Sequence, residues 1–186
     1  YYDIPFNKYA IMLFHPITTE LENLEDQINS LIKAVIKSKK NFVIIYPNND
    51  PGSKIILKAY ETLHNNNQFR IYPSLRFEYF LTLLKHSDFI IGNSSAGITE
   101  AGIYGIPTID IGNRQKNRTT NNKIKNVEND EEQIIDAIQQ IQDKKISSSY
   151  DFGDGQSSKR FFEIISQDGI WDIDLQKYFV EMDNEK

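Results

Sequence analysis

The sequence predicts an α/β fold, a parallel sheet wound on both faces by helices. Short apolar runs of strand length recur along the chain, and the stretches between them carry apolar residues at helical spacing. The turns joining the two are rich in Pro, Gly, Asn and Ser. Tyr9 to His15 reads as a buried strand whose polar end opens to solvent, and His15-Pro16 as the turn after it. Thr19 and Glu22 have capping-box spacing ahead of Leu21, Leu24, Ile28, Leu31, Ile32, Val35 and Ile36, so a helix is expected to about Ser38. Asn41 to Tyr46 is the second strand. The loop from Pro47 to Ser53 leads into a helix carrying Ile55, Ile56, Ala59, Tyr60 and Leu63. Phe69 to Tyr72, Asp88 to Ile91 and Thr108 to Ile111 are further strands, and Phe77 to Leu84 and Ser95 to Tyr104 the helices between them. Gly105 followed by Pro107 stops the second of these. Asp130 to Gln142 and Lys159 to Ser166 are helices, separated by a polar linker from Lys144 to Tyr150. The repeated alternation of strand and helix makes the sheet doubly wound.

Composition bounds the function. A length of 186 residues is one ordinary domain with at most a short appendage, and two full nucleotide-binding domains do not fit. The 11 Phe, 10 Tyr and 2 Met supply a core, which excludes general disorder. Apolar runs such as Phe42 to Tyr46 fall far short of the roughly 18 residues that cross a bilayer, so no membrane helix is expected. Zero cysteines exclude disulfides and thiol chemistry and fit a reducing cytoplasm. A net charge of -5 argues against a nucleic-acid surface. The opening Tyr1-Tyr2-Asp3-Ile4-Pro5, without Met or signal segment, reads as a piece of something longer.

Ligands of open α/β sheets bind beyond the carboxyl ends of the strands, and the loops there are polar in a suggestive way. Gly92 to Pro107 places Ser94 and Ser95 at a strand-to-helix junction, suited either to a phosphate cradle or simply to capping the helix, with Gly97 allowing an anion to approach the backbone. Glu100, about a turn inside that helix, is either a solvated carboxylate or an acceptor for a ribose diol. Gly112-Asn113-Arg114-Gln115-Lys116-Asn117-Arg118 is the densest basic cluster; a guanidinium suits a diphosphate, while Lys116 reads as solvated. His15 and Asn48, at the ends of the first two strands, suit either phosphate or a structural part, and His15 also acid–base work near neutral pH. His64 and His86 end helices, where the dipole suffices to explain them. No three residues have metal spacing. Gly153-Asp154-Gly155 is a plain turn or an anion nest.

In order and spacing His15-Pro16-Ile17-Thr18-Thr19, Pro47 to Ser53, Gly92 to Glu100, Gly105-Ile106-Pro107, Gly112-Asn113-Arg114-Gln115 and Gly153-Asp154-Gly155 resemble the hydrolysing UDP-N-acetylglucosamine 2-epimerases over nearly the whole chain. The Asn-Ser-Ser-x-Gly-x-x-Glu block followed by Gly-x-Arg-Gln is the specific part; Gly-x-Pro is common to many sugar-nucleotide enzymes. The resemblance implies a Rossmann-like doubly wound parallel sheet, one half of a glycosyltransferase-B architecture, here the carboxyl-terminal, UDP-binding domain (residues 1–168) with a terminal helix or tail (169–186) packing at the domain junction. It implies a cytoplasmic enzyme that converts UDP-N-acetylglucosamine and water to N-acetylmannosamine and UDP, in sialic-acid-type sugar biosynthesis, with no metal or other cofactor. By the same resemblance Ser94 and Ser95 hold the diphosphate, Glu100 the ribose, Arg114 the charge on departing UDP, and the Leu75 backbone the uracil. His15 and Asn48 sit by the diphosphate and sugar; His15 and Arg114 are the catalytic candidates. The implied partners are UDP, UDP-N-acetylglucosamine and the missing amino-terminal domain, which carries most of the sugar-directed carboxylates, with homo-oligomerisation open for the full-length protein. The fragment is then expected to bind UDP without turnover. The alternatives are the donor-nucleotide domain of a glycosyltransferase of the same architecture, and a non-catalytic flavodoxin-like interaction domain.

Overall fold

A computed structural model describes residues 2–119, 124–141, 146–172 and 176. The chain divides into two compact units, Tyr1–Asp151 and Phe152–Lys186. The first holds six parallel strands: β1 (Ala10–Leu13), β2 (Phe42–Ile45), β3 (Phe69–Tyr72), β4 (Ile90–Gly92), β5 (Thr108–Ile111) and β6 (Ile124–Val127). Their order, β3-β2-β1-β4-β5-β6, is that of a doubly wound Rossmann-like sheet. The helices are α1 (Leu24–Ser38), α2 (Ser53–Tyr60), α3 (Phe77–His86), α4 (Glu100–Tyr104) and α5 (Glu131–Gln140).

Strand alternation divides the core into two layers. Ala10, Met12, Phe42, Ile44, Ile91 and Ile109 point to one face, where they meet Ile28, Leu31 and Val35 of α1, Ile56 and Tyr60 of α2, and Ile134 and Ile138 of α5. Tyr9, Ile11, Val43, Ile45 and Ile90 point to the other, against Phe80 and Leu84 of α3 and Ala101 of α4. The central strands are apolar on both faces because helices cover both. β6 is the strand that apolar runs do not reveal: Ile-Lys-Asn-Val exposes Lys125 and Asn126, as an edge strand permits, and only its pairing with β5 marks it.

Two helix starts differ from expectation. No capping box forms at Thr19 and Glu22. The chain turns at Ile17–Glu20, passes through a 3-10 turn at Leu21–Asn23, and enters α1 with no side-chain cap. Glu20 is the acid engaged there instead, accepting from Gln27 Nε2 at 2.9 Å and from Asn113 Nδ2. The helix expected from Ser95 to Tyr104 is split into a 3-10 turn, Ser95–Gly97, and the short α4; Glu100 therefore opens α4 rather than lying a turn inside. Gly105 caps α4 in the left-handed conformation, as its place before Pro107 implies.

The second unit contains α6 (Ser157–Ile165), which leaves Phe161 and Phe162 exposed, and a 3-10 turn at Ile170–Asp172. The Gly153-Asp154-Gly155 turn aims its acid at its own helix. Asp154 takes both terminal nitrogens of Arg160, at 2.7 and 2.6 Å, and the Gln156 N–H at 3.1 Å. Arg160 holds the carboxyl down at about 2, which favours a helix-start clasp over an anion nest. Most of the expected terminal helix or tail, 169–186, lies outside the described residues.

Candidate nucleotide site

Strand order reverses between β1 and β4, the place where doubly wound sheets bind ligands. The loops leaving these two strands, with those after β2 and β5, bring most of the expected residues together. His15 follows β1 by two residues. Its Nδ1 accepts the backbone N–H of Asn48 at 3.1 Å, joining the ends of β1 and β2. That bond puts the imidazole proton on Nε2, which remains a donor. Burial, helped by the Arg114 cation and opposed by Asp50, pushes the imidazole down to about 4. His15 is therefore neutral in the free chain at neutral pH, with its Nε2–H as a donor. Asn48 donates its amide to Asp50, and its Oδ1 is buried with no hydrogen-bond partner among the described residues.

After β4, Ser94 caps the 3-10 turn, its hydroxyl accepting the Ala96 N–H at 3.3 Å, so the helix-cap reading is realised at this serine. The Ser95 hydroxyl has no protein partner among the described residues, while its carbonyl receives the N–H groups of Ile98 and Thr99 and the Thr99 hydroxyl. Packing by itself accounts for Gly97: a β-carbon there meets Thr108 Cγ2 at 2.7 Å, and its carbonyl accepts the Thr108 hydroxyl at 2.7 Å. Glu100 is half-buried and accepts from the Thr99 hydroxyl.

After β5, Arg114 Nη1 donates to the Asn93 carbonyl at 3.0 Å, beside Gln115 Nε2 at 2.9 Å. Arg118 is held on the Gln115 side-chain oxygen, and Lys116 is exposed, as its solvated reading implies. Leu75, between β3 and α3, borders an apolar cavity of about 220 Å³ with Leu13, Ile45, Phe77, Phe80 and Ala96. Leu13 and Ala96 also border the His15 and serine loops, so this slot adjoins the polar edge. A larger cavity of about 500 Å³ lies farther along the sheet edge, under the loop after β5 and beside Asn126, Glu128 and Gln133.

Sequence reasoning missed three residues here. Phe77 and Phe80 wall the slot; aromatics opening a helix after a strand-end loop were the available signal. Asp110, on β5 four residues before Arg114, is 2% exposed, and its Oδ2 has no hydrogen-bond partner among the described residues. Burial pushes its carboxyl up to about 6 against the pull of Arg114. Nothing local marks an acid inside an apolar strand as other than an outward-facing residue.

The chain is 41% identical to the UDP-N-acetylglucosamine 2-epimerase of Neisseria meningitidis serogroup B over 98% of its own length and 49% of that protein's. It is 27% identical to the hydrolysing UDP-N,N'-diacetylbacillosamine 2-epimerase of Legionella pneumophila, over 87% of this chain and 43% of the other. The chain thus spans about half the length of the curated relatives it matches. Among solved structures, the Methanocaldococcus jannaschii UDP-GlcNAc 2-epimerase in complex with UDP-GlcNAc and UDP superposes with a TM-score of 0.69 at 20% identity, covering 85% of this chain and 45% of that one; the likeness is one of fold. A family profile described as UDP-N-acetylglucosamine 2-epimerase matches residues 2–166, and the chain belongs to that family.

Proposed function

We propose that this chain is the carboxyl-terminal, UDP-binding domain of a hydrolysing UDP-N-acetylglucosamine 2-epimerase of the cytoplasm, with residues 1–168 as the nucleotide domain and 169–186 packing at the junction with the other half. The observation that carries the reading is the gathering of His15, Asn48, the serine turn and Arg114 where strand order reverses, next to an apolar slot. In this reading the uracil enters the slot beside Leu75, Phe77 and Phe80. Glu100 accepts from the ribose hydroxyls, with Thr99 orienting its carboxylate. Ser94, Ser95, Arg114 and the His15 Nε2–H meet the diphosphate, and the orphaned Asn48 oxygen accepts from a ligand hydroxyl.

The reaction is an elimination followed by a hydration. A base removes the proton from sugar C2, the C1–O bond breaks, and its electrons leave with UDP, giving a 2-acetamidoglucal. Water then adds, a proton to C2 from the opposite face and hydroxide to C1, to give N-acetylmannosamine. Arg114 supports the first step, because charge grows on the diphosphate as C1–O breaks. His15 and Arg114 are the groups of this chain that act on the leaving group; most of the carboxylates that act on the ring belong to the other half. Closing that half over the sugar is what brings base and leaving-group stabilisation together.

Titrating the chain with UDP and UDP-N-acetylglucosamine tests the binding half of this reading. UDP is expected to raise the melting temperature, as a ligand of the folded state does. Release of N-acetylmannosamine by the full-length protein and none by this chain completes it. No shift with millimolar UDP, or turnover by the chain alone, overturns it.

A further inference from the structure

Asn93 is wholly buried and belongs to no part of the ligand contact set above. Its side chain faces β1. Oδ1 accepts the His15 N–H at 2.7 Å, and Nδ2 donates to the His15 carbonyl at 2.8 Å, a two-point clasp across 78 residues of sequence. Its carbonyl faces the loop after β5. The carbonyl receives Arg114 Nη1 at 3.0 Å and Gln115 Nε2 at 2.9 Å, and its N–H donates to the Leu13 carbonyl at 3.2 Å. One residue therefore ties the ends of β1, β4 and the β5 loop, and the imidazole and guanidinium hang on opposite sides of it.

We propose that Asn93 is a positioning residue for diphosphate recognition: by clasping the His15 backbone with its side chain and Arg114 with its carbonyl, it fixes the spacing of two donors while touching no ligand itself. The proposal rests on the UDP reading for its ligand, but the clasp is a property of the protein. An amide is suited to the task because it presents one donor and one acceptor side by side, matching the backbone N–H and C=O of the single residue His15. A carboxyl does the same only when protonated. Ionised, it sets a charged oxygen against the His15 carbonyl in a buried place.

That difference supplies the test. In N93D, burial favours the protonated form at pH 5, which preserves the clasp; at pH 8 the clasp is broken. The charged and titratable groups around the cluster are His15 and Asp50 on the β1 and β2 side and Asp110 and Arg114 on the β5 side. Wild type and variant share them, but the carboxylate that N93D gains at pH 8 couples to them and repels a diphosphate, so the His15 tautomer, which added charge alone does not mix, separates that charge from loss of the clasp. UDP affinity of N93D is expected within about threefold of wild type at pH 5 and reduced more than about tenfold at pH 8, with uridine changed less than about threefold at both. UDP affinity at pH 8 equal to wild type, or equal losses for UDP and uridine, overturns the proposal.

A second readout needs no ligand. In ¹⁵N-labelled chain the His15 Nδ1 is expected to be unprotonated from pH 6 to 8, and N93D at pH 8 to show a mixture of tautomers as the Asn48 bond loosens; His64 and His86 are internal controls. If wild type fails to bind UDP the nucleotide reading falls, and this spectrum alone decides the clasp: His15 signals identical in wild type and N93D at pH 8 overturn it.

Discussion

Replacing Arg114 by alanine separates phosphate recognition from folding. In the free chain the guanidinium gives Nη1 to the Asn93 carbonyl, and among the described residues its remaining N–H groups have no partner. Two charge-assisted hydrogen bonds to a diphosphate, discounted for a half-exposed site, contribute about 2 to 3 kcal/mol, or about 30- to 150-fold in UDP affinity. The structural cost is small by comparison. Gln115 Nε2 still satisfies the Asn93 carbonyl at 2.9 Å, so the lost bond costs about 1 kcal/mol or less of stability. Calorimetric titration with UDP and uridine, beside denaturant unfolding of both proteins, reads the two terms separately. Uridine should change less than about twofold, since it offers no diphosphate. Losing Arg114 should also let the His15 imidazole rise from about 4 towards its ordinary range, because that cation helps hold it down. Equal losses for UDP and uridine, or a stability loss that accounts for the whole effect, would refute the reasoning.

Glu100→Gln keeps the shape of the side chain but turns one acceptor into a donor; UDP should bind more weakly, and 2′-deoxy-UDP should lose less on mutation than UDP. Equal losses would remove Glu100 from the 2′-hydroxyl. Asp110 has its pKa raised from 3.8 to about 6, so the folded state holds the extra proton and the stability it contributes is present below pH 3.8 and lost as pH rises through about 6. Asp110→Asn should therefore stabilise the chain relative to wild type most above pH 6, and that advantage should shrink towards pH 4 in urea unfolding; a pH-independent difference defeats the assignment. His15 has the opposite sign: its pKa falls from 6.5 to about 4, so the stability tied to the neutral ring is full above pH 6.5 and lost as pH falls towards 4. With Asp110 gone, an added His15→Gln should flatten the decline over that window, and an unchanged slope would show that another group carries it. Gly92 has φ +135, and a β-carbon there lies 2.1 Å from the Leu13 carbonyl oxygen across the β1–β4 pairing. Gly92→Ala should cost more than about 3 kcal/mol, whereas Gly169→Ala, with nothing within 4 Å, should stay within about 0.5 kcal/mol; similar unfolding midpoints would contradict the geometry.

The sequence by itself determined the strands that are apolar on both faces, because a strand buried on both sides reads as a continuous run. It also determined that Ser94, Ser95 and Arg114 follow strand ends, since loops are placed by where the runs stop. Tertiary structure decided the rest. Ile124–Val127 becomes a strand only because β5 offers an edge, and in place of the Thr19–Glu22 box the helix entry carries Glu20 held by Gln27 and Asn113. Whether His15 is charged and Asp110 protonated depends on burial and on one cation brought near both, which neither residue's neighbours in sequence reveal. The same holds for Asn93, whose partners lie 78, 21 and 22 residues away. Hydrophobic period and turn chemistry act over a few residues, whereas hydrogen-bond partners and local dielectric are set by which strands become neighbours, and strand order is a property of the folded sheet.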